Sequence, residues 1–142
     1  MSYPTIAVSP SPFAFGRSAA SLWIGRTLST IAVLFLLFDG TVKLLKLPIV
    51  LDTTAQIGYA TSTIVPLGLL ELALLVVYLI PRLAPVGAIL WTAYLGGAVA
   101  THVRIGSPLF SHILFPTYVA ALLWAGLCLR DARVRTLLGG AR

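Results

Sequence analysis

The sequence has few charged residues for its length. Only 10% of its 142 residues are Asp, Glu, Lys or Arg, whereas soluble domains average about 25%. A soluble domain of this size buries only about two-thirds of the surface that its unfolded chain exposes, so it would leave much of a 58% apolar composition in water. A soluble enzyme, a nucleic-acid-binding domain and a disordered tail are therefore all disfavoured. The lipid bilayer is the expected partner of this surface.

Motifs that usually carry chemistry are also missing. The single cysteine, Cys128, lies in an apolar run, so the chain has no intramolecular disulfide and no CxxC redox pair. Zinc-ligand spacing, a glycine-rich phosphate loop and a serine–histidine–carboxylate arrangement are not visible, so we predict no metal site. The net charge of +6 comes from basic residues scattered beside apolar runs. That pattern indicates membrane topology and not nucleic-acid binding.

Long apolar segments are what the sequence has in abundance. Each is close to the ~20 residues that cross about 30 Å of hydrocarbon, and a helix satisfies its own backbone hydrogen bonds in lipid. The predicted spans are residues 22–45, 62–80, 84–103 and 109–129. They predict an all-α integral membrane domain over 22–137, an up-down-up-down four-helix bundle with mostly short loops. A loose, proline-rich tail without a signal-peptide cleavage site is expected at 1–21, and a short tail at 138–142.

The basic residues predict how the bundle is oriented. Seven lie on the side of the two termini and of the loop between spans two and three: Arg17, Arg26, Arg82, Arg130, Arg133, Arg135 and Arg142. Three lie on the opposite side: Lys43, Lys46 and Arg104. Because basic residues concentrate in cytoplasmic segments, both termini are predicted to be cytoplasmic. The arginines that follow span four are expected to fix the topology and to contact anionic lipid.

Several ionisable side chains fall inside the predicted spans. Each costs at least about 2.5–3.5 kcal/mol on insertion scales, and such residues usually face the bundle interior. Asp39 and Lys43 are four residues apart, so they share a helix face and can neutralise each other. Glu71 lies near the middle of span two and has no partner in its own helix. It is expected either to be protonated or to pair with a side chain of another helix.

The up-down order brings these polar residues to the outer half of the bundle, with Glu71 roughly 15 Å below the outer surface. They predict a polar pocket that opens outward and has Glu71 at its floor, with Trp91 and Tyr118 among its walls. Such a pocket would suit a small amphipathic ligand such as a quinone headgroup. The candidate ligand-binding residues are Asp39, Lys43, Glu71, Tyr94, His102, Arg104 and His112.

Structural explanations of the same features stay open. The ion pair of span one would also make a polar helix end tolerable, Glu71 would also serve as a packing carboxyl, and Arg104 would also snorkel to the interface. Ala93, Gly97 and Thr101 form a seam of small residues that is suited to close packing against another helix. The apolar loop at 46–61 is expected to lie at the interface or to cap the bundle.

Short strings in all four spans resemble the DoxX-like family of membrane proteins. These are LFLLFDG at 34–40, LGLLE at 67–71, YLIPR at 78–82, YLGGAVATHVR at 94–104, FSH at 110–112, LFP at 114–116, LLW at 122–124 and LRD at 129–131. The resemblance covers about residues 22–137 and implies a four-helix protein of the bacterial inner membrane. It assigns no catalytic residue, so whether the protein is an enzyme is left open.

The family takes its name from a subunit of a quinone-linked sulfur oxidoreductase. Our first hypothesis is therefore an accessory subunit of a membrane redox system that binds a quinone-like, lipid-soluble molecule in the outward-facing pocket. The alternative is a non-enzymatic structural or assembly protein that binds partner helices of other membrane subunits along the small-residue seam. A transporter is less favoured, because transporter folds are often built from inverted repeats and no long internal repeat is evident.

Overall fold

The computed structural model describes residues 18–139, with the side chains of 137–139 left aside. All regular elements in this range are helical, which confirms the predicted all-α class. The α-helices are α1 (Ala19–Leu44), α2 (Pro48–Gln56), α3 (Ile64–Leu79), α4 (Ala84–Arg104), α5 (Phe115–Arg130) and α6 (Ala132–Gly139). A 3₁₀ turn at Thr61–Thr63 leads into α3, and a π-helical turn at Leu109–Ile113 leads into α5.

Four helical segments are long and apolar enough to cross a membrane. They are Ala19–Leu44, Thr61–Leu79, Ala84–Arg104 and Leu109–Arg130. These agree with the four predicted spans, except that the first begins at Ala19 and so takes in the end of the predicted tail. The rest of that tail, at 1–17, lies outside the described residues, as do 140–142.

Local sequence explains where several helices begin. The Ser18 side chain accepts a hydrogen bond from the Ser21 amide at 3.1 Å and so caps α1. Proline stands in the first turn of α2, α4 and α5, where its missing N–H has no helical partner to lose. Pro81, which follows α3, has no N–H with which to continue that helix.

The four spans form a closed ring in which each packs against two others. Helix α1 contacts α3 and α5, and α4 contacts the same two from the opposite side. The core between them contains Leu36, Tyr78, Trp91, Leu123 and Leu127, all nearly inaccessible to solvent. Large apolar side chains on the outside of the ring remain exposed, as expected where lipid replaces water.

The bundle therefore has two distinct ends. The terminal end carries the start of α1, the turn between α3 and α4, and the end of α5 with α6. The loop end carries the end of α1, α2, the start of α3, the end of α4 and the start of α5. Which end faces the cytoplasm stays a prediction.

Helices approach most closely at the terminal end. A Cβ on Gly126 of α5 would lie 2.8 Å from the Ser29 amide nitrogen and 2.9 Å from the Gly25 carbonyl oxygen of α1. Such spacing excludes any side chain, so small residues allow this crossing. In contrast, a Cβ on Gly97 would have no neighbouring atom within 4 Å. Close helix packing was expected at the seam of Ala93, Gly97 and Thr101. Within this chain it occurs instead between α1 and α5.

The loop between spans one and two caps the loop end. It contains α2, and its last part is fixed to α4 by two hydrogen bonds. Arg104 Nη2 donates to the Ile57 carbonyl oxygen at 2.6 Å, and the hydroxyls of Tyr59 and Thr101 lie 3.0 Å apart. Of the two positions predicted for this apolar loop, the structure therefore shows the one in which it caps the bundle.

Candidate ligand-binding cavity

A cavity of about 510 Å³ occupies the loop-end half of the bundle. All four spans and the capping loop contribute to its wall. Most of the wall is apolar and includes Leu36 of α1, Leu67 of α3 and Val119 of α5. The ionisable and hydroxyl-bearing side chains of the wall are Asp39, Lys43, Thr54, Tyr59, Glu71, Tyr94, Thr101 and His102.

Glu71 is the centre of the polar part of this wall. It lies ten residues after Thr61, which is about 15 Å along the helix at about 1.5 Å per residue, and its side chain is fully buried. Its Oε1 accepts hydrogen bonds from Lys43 Nζ of α1 and from the Tyr94 hydroxyl of α4. The sequence left open whether Glu71 is protonated or finds a partner on another helix. The structure shows partners on two other helices.

The predicted pair within span one is also present. Lys43 Nζ lies 2.7 Å from Asp39 Oδ2, so one ammonium group binds two carboxylates. The resulting cluster of Asp39, Lys43, Glu71 and Tyr94 joins α1, α3 and α4; we call it the Glu71 cluster. It has one carboxyl group more than it has ammonium groups, so it is electrically neutral only with one additional proton.

One carboxylate oxygen of the Glu71 cluster has no hydrogen-bond partner among the described residues. Oε2 of Glu71 is buried and accepts no hydrogen bond from any residue that the structure describes. A buried carboxylate oxygen without a partner is costly, and most buried polar atoms in proteins have one. This oxygen lies close to Gly40 of α1, where an added Cβ would be 3.4 Å away, so it is the one oxygen of Glu71 that the described residues leave without a donor.

Hydrogen bonds close the wall toward the capping loop. The Thr101 hydroxyl donates to the Gly97 carbonyl oxygen at 2.9 Å and also meets Tyr59. His102 Nδ1 lies 3.1 Å from the Ser107 hydroxyl, which leaves Nε2 as its other polar atom. The wall therefore offers hydroxyl and imidazole groups above the Glu71 cluster.

Five of the seven candidate ligand-binding residues line the cavity: Asp39, Lys43, Glu71, Tyr94 and His102. Arg104 does not, because its guanidinium binds the capping loop. His112 is also absent from the wall; its Nδ1 meets the Ser111 hydroxyl at 2.8 Å, and its ring packs edge-on against His102 at 5.6 Å between centroids.

The two other aromatic residues expected in the wall lie elsewhere. Trp91 is fully buried in the core and contacts Tyr94 edge-on, and Tyr118 is exposed. Conversely, Thr54 and Tyr59 of the capping loop line the cavity, although the sequence did not indicate either of them as a site residue. The apolar composition of that loop was the only sequence feature that indicated contact with the bundle. Among residues 18–139, no group of three or more histidine, cysteine or acidic side chains comes close enough to hold a metal ion.

The chain shows a clear family relationship. No curated protein and no solved structure matches it. A sequence model of the DoxX-like family matches residues 27–126, which is more than half of the chain. The match includes the Glu71 cluster, the capping loop and most of all four spans. The protein is thus a membrane-spanning member of the DoxX-like family.

Proposed function

We propose that this protein binds a small, amphipathic, lipid-soluble molecule in the cavity, and that a quinone is the class of ligand that suits it best. One observation carries the proposal: the Glu71 cluster, with Glu71 itself fully buried, lies in the wall of a mostly apolar cavity of about 510 Å³. In this role the protein would serve as an accessory subunit of a redox system in the inner membrane.

The size and composition of the cavity support a ligand. Small-molecule sites are clefts of about 300–1,000 Å³, lined mainly by apolar side chains with a few well-placed polar groups. A bundle that needs only to hold itself together fills its interior to the density of an organic crystal. Here Ala93, Gly97 and Ala98 leave space in the wall next to Tyr94.

The donors and acceptors of the wall fit a quinone headgroup. Leu36 and Phe115 offer apolar surface for a ring. An ammonium group has three N–H donors, and Lys43 uses two of them on carboxylates, so one donor remains for a carbonyl oxygen. His102 offers a second polar contact, and Glu71 holds or receives a proton at its carboxylate. A bound quinone would supply reversible two-electron, two-proton chemistry.

The test is to identify what the purified protein holds. Protein in mild detergent is extracted, and bound lipids are measured by mass spectrometry against protein concentration. We expect a quinone at close to one molecule per chain. Glu71→Gln should lower its retention about tenfold or more, because a hydrogen bond to a charged group contributes roughly 1.5–3 kcal/mol. Circular dichroism and gel filtration would verify that the variant folds.

Two adjacent glycines provide a matched pair of variants. Both Gly96 and Gly97 have open space where a Cβ would stand, but only Gly97 lines the cavity. Gly97→Leu should therefore fill the cavity and remove the bound molecule, whereas Gly96→Leu should retain it. Equal retention by these two variants would contradict the proposed site, and a wild-type extract with only bulk phospholipid would contradict the proposed ligand class.

The alternative function is a structural or assembly role without a ligand. One observation favours it: Ala93 and Gly97 are exposed small residues on α4, and Gly97 has no neighbour in this chain. A partner helix packed there would be released by Gly97→Leu, as crosslinking would show. The two functions differ in the lipid extract, because only the first predicts a stoichiometric small molecule in the wild-type protein.

The proposed orientation places both termini in the cytoplasm. Its support is the concentration of arginine at the terminal end, where Arg26, Arg82 and Arg130 lie. A cysteine introduced at Arg82 should react with membrane-permeant but not with impermeant thiol reagents in intact cells, in a Cys128→Ser background. Reaction with both would invert the orientation and make the cavity open toward the cytoplasm.

A further inference from the structure

A second, smaller cleft lies at the terminal end of the bundle. It has a volume of about 200 Å³ and is lined by Arg26, Pro81, Ala84, Leu127, Arg130 and Asp131. The two arginines come from α1 and α5, which cross closely here. We call it the arginine cleft. It lies at the opposite end of the spans from the Glu71 cluster.

The guanidinium of Arg130 has unused donors in this cleft. Its Cζ lies 5.1 Å from the centroid of the Tyr78 ring, so the aromatic face holds it in place. Its Nε and Nη2 atoms are buried and have no hydrogen-bond partner among residues 18–139. Arginine does not deprotonate in proteins, so these N–H groups remain positively charged donors. A buried charged donor without an acceptor is costly, which favours an external anion at this point.

Arg26 adds a second positive charge to the cleft. Its side chain makes no hydrogen bond to the described part of the chain, and its Cζ lies 5.5 Å from the ring centroid of Trp23. Trp23 is 65% exposed on the outside of the first span. An exposed tryptophan near the end of a span is typical of the headgroup region of a bilayer, so the cleft lies at the level of lipid phosphates.

The other charged groups near the cleft bind each other or the backbone. The Asp131 carboxylate binds the Arg133 backbone amide at 2.9 Å and the Arg133 guanidinium at 2.8 and 3.2 Å. Arg133 also donates to the Pro81 carbonyl oxygen at 2.8 Å. Arg135 donates to the carbonyl oxygens of Cys128 and Leu129. Of the three arginines expected to contact lipid after span four, Arg133 and Arg135 are thus anchored to the protein, whereas the Nε and Nη2 atoms of Arg130 have no partner among residues 18–139.

We propose that the arginine cleft binds the phosphate group of an anionic phospholipid. Guanidinium groups match phosphate oxygens with paired, charge-assisted hydrogen bonds, and Arg26 and Arg130 place two of them at one cleft. A volume of about 200 Å³ accommodates a phosphate group, since one water takes about 30 Å³ of liquid. Basic pockets between spans on the cytoplasmic side are known to take anionic headgroups.

The experiment is a lipid titration of the purified protein in non-ionic detergent, followed by native mass spectrometry. Phosphatidylglycerol and phosphatidylcholine with identical acyl chains are compared. We expect at least about tenfold tighter binding of phosphatidylglycerol, and about a tenfold loss of that affinity in Arg26→Gln/Arg130→Gln, from hydrogen bonds to charged groups. Arg82→Gln is the matched control, because Arg82 is an exposed arginine at the same end but outside the cleft.

The single variant Arg26→Gln keeps the test decisive if loss of Arg130 from the Tyr78 ring impairs folding. Arg26 is exposed, so its replacement should leave the fold intact and still lower the affinity for phosphatidylglycerol several-fold. The same affinity in Arg26→Gln and Arg82→Gln, or equal binding of the two lipids by the wild-type protein, would overturn the proposal. Displacement of phosphatidylglycerol by millimolar inorganic phosphate alone would identify free phosphate as the ligand and contradict a lipid source.

Discussion

The two ends of the bundle differ in their balance of acidic and basic residues. The loop end has three basic residues, Lys43, Lys46 and Arg104, and three acidic ones, Asp39, Asp52 and Glu71. The terminal end has one acidic residue, Asp131, and five described arginines, Arg26, Arg82, Arg130, Arg133 and Arg135. The loop end is thus formally neutral and the terminal end strongly basic.

Packing differs between the same two ends. At the loop end a buried carboxylate and its partners lie in the wall of a large cavity. At the terminal end α1 and α5 meet backbone to backbone at Gly25 and Gly126, and Arg133 and Arg135 bind carbonyl oxygens or Asp131. A polar residue near a membrane therefore indicates a ligand site only where it meets unfilled space or lacks a partner. Elsewhere it stabilises a helix end.

The largest expected effect is loss of the central ammonium group of the Glu71 cluster. Lys43→Met leaves Glu71 buried with only Tyr94 as a partner. Breaking a buried ion pair by removal of one member costs about 3–5 kcal/mol. The free energy of unfolding, measured by titration with sodium dodecyl sulfate in mixed micelles, should fall by about 3 kcal/mol. Lys46→Met is the control, because Lys46 is exposed and makes no ion pair within 18–139.

A double variant sharpens this prediction. In Lys43→Met/Glu71→Gln the buried charge is gone, and the amide oxygen can still accept from Tyr94. Since replacing both members of a buried pair is often neutral, the double variant should recover most of the lost stability. Strictly additive losses would mean that Lys43 and Glu71 do not act as a pair.

The second prediction compares glycines at the two ends. Gly126→Ala places a Cβ against Ser29 and the Gly25 carbonyl oxygen, so the helices must separate. Overpacking typically costs about 1–3 kcal/mol. Gly97→Ala meets open space and gains helix propensity, since glycine is roughly 1 kcal/mol worse than alanine in a helix. The same titration should therefore show a lower free energy of unfolding for Gly126→Ala and no decrease for Gly97→Ala. Comparable decreases in both variants would mean that the two ends are packed equally closely.

The sequence predicted the spans and the pair within one helix because these depend on local spacing. Apolar run length determined the four spans, and four-residue spacing was enough to pair Asp39 with Lys43. The partners of Glu71 could not be predicted in this way. They depend on how the helices rotate about their axes, and close crossings such as the one at Gly126 constrain that rotation.

The same limit explains which site residues were wrongly placed in the cavity wall. Arg104 is near the cavity by its position along α4, but the capping loop folds over the bundle and the Arg104 guanidinium binds that loop. The fold of that loop depends on tertiary contacts. Trp91 shares a helix face with Tyr94 by spacing, yet a face is wide enough for one to enter the core and the other to line the cavity.

The smallest expected effect is a pH dependence at the terminal end. Hydrogen bonds from Arg133 hold the pKa of Asp131 below its ordinary value. A carboxyl whose pKa is lower in the folded state stabilises that state above its unfolded pKa of about 3.9, and this contribution is lost as the pH falls through the folded value. Asp131→Asn should therefore melt slightly below the wild-type protein at pH 7, and the difference should be smaller at pH 3.

The effect should be small, because Arg133 is largely exposed to solvent and exposed ion pairs contribute little. Asparagine keeps an oxygen that can accept from the Arg133 backbone amide, so this variant removes the charge but not the cap of α6. Thermal melts in detergent at the two pH values thus separate the two contributions. A difference of the same size at pH 3 would mean that Asp131 acts through the geometry of the cap and not through its charge.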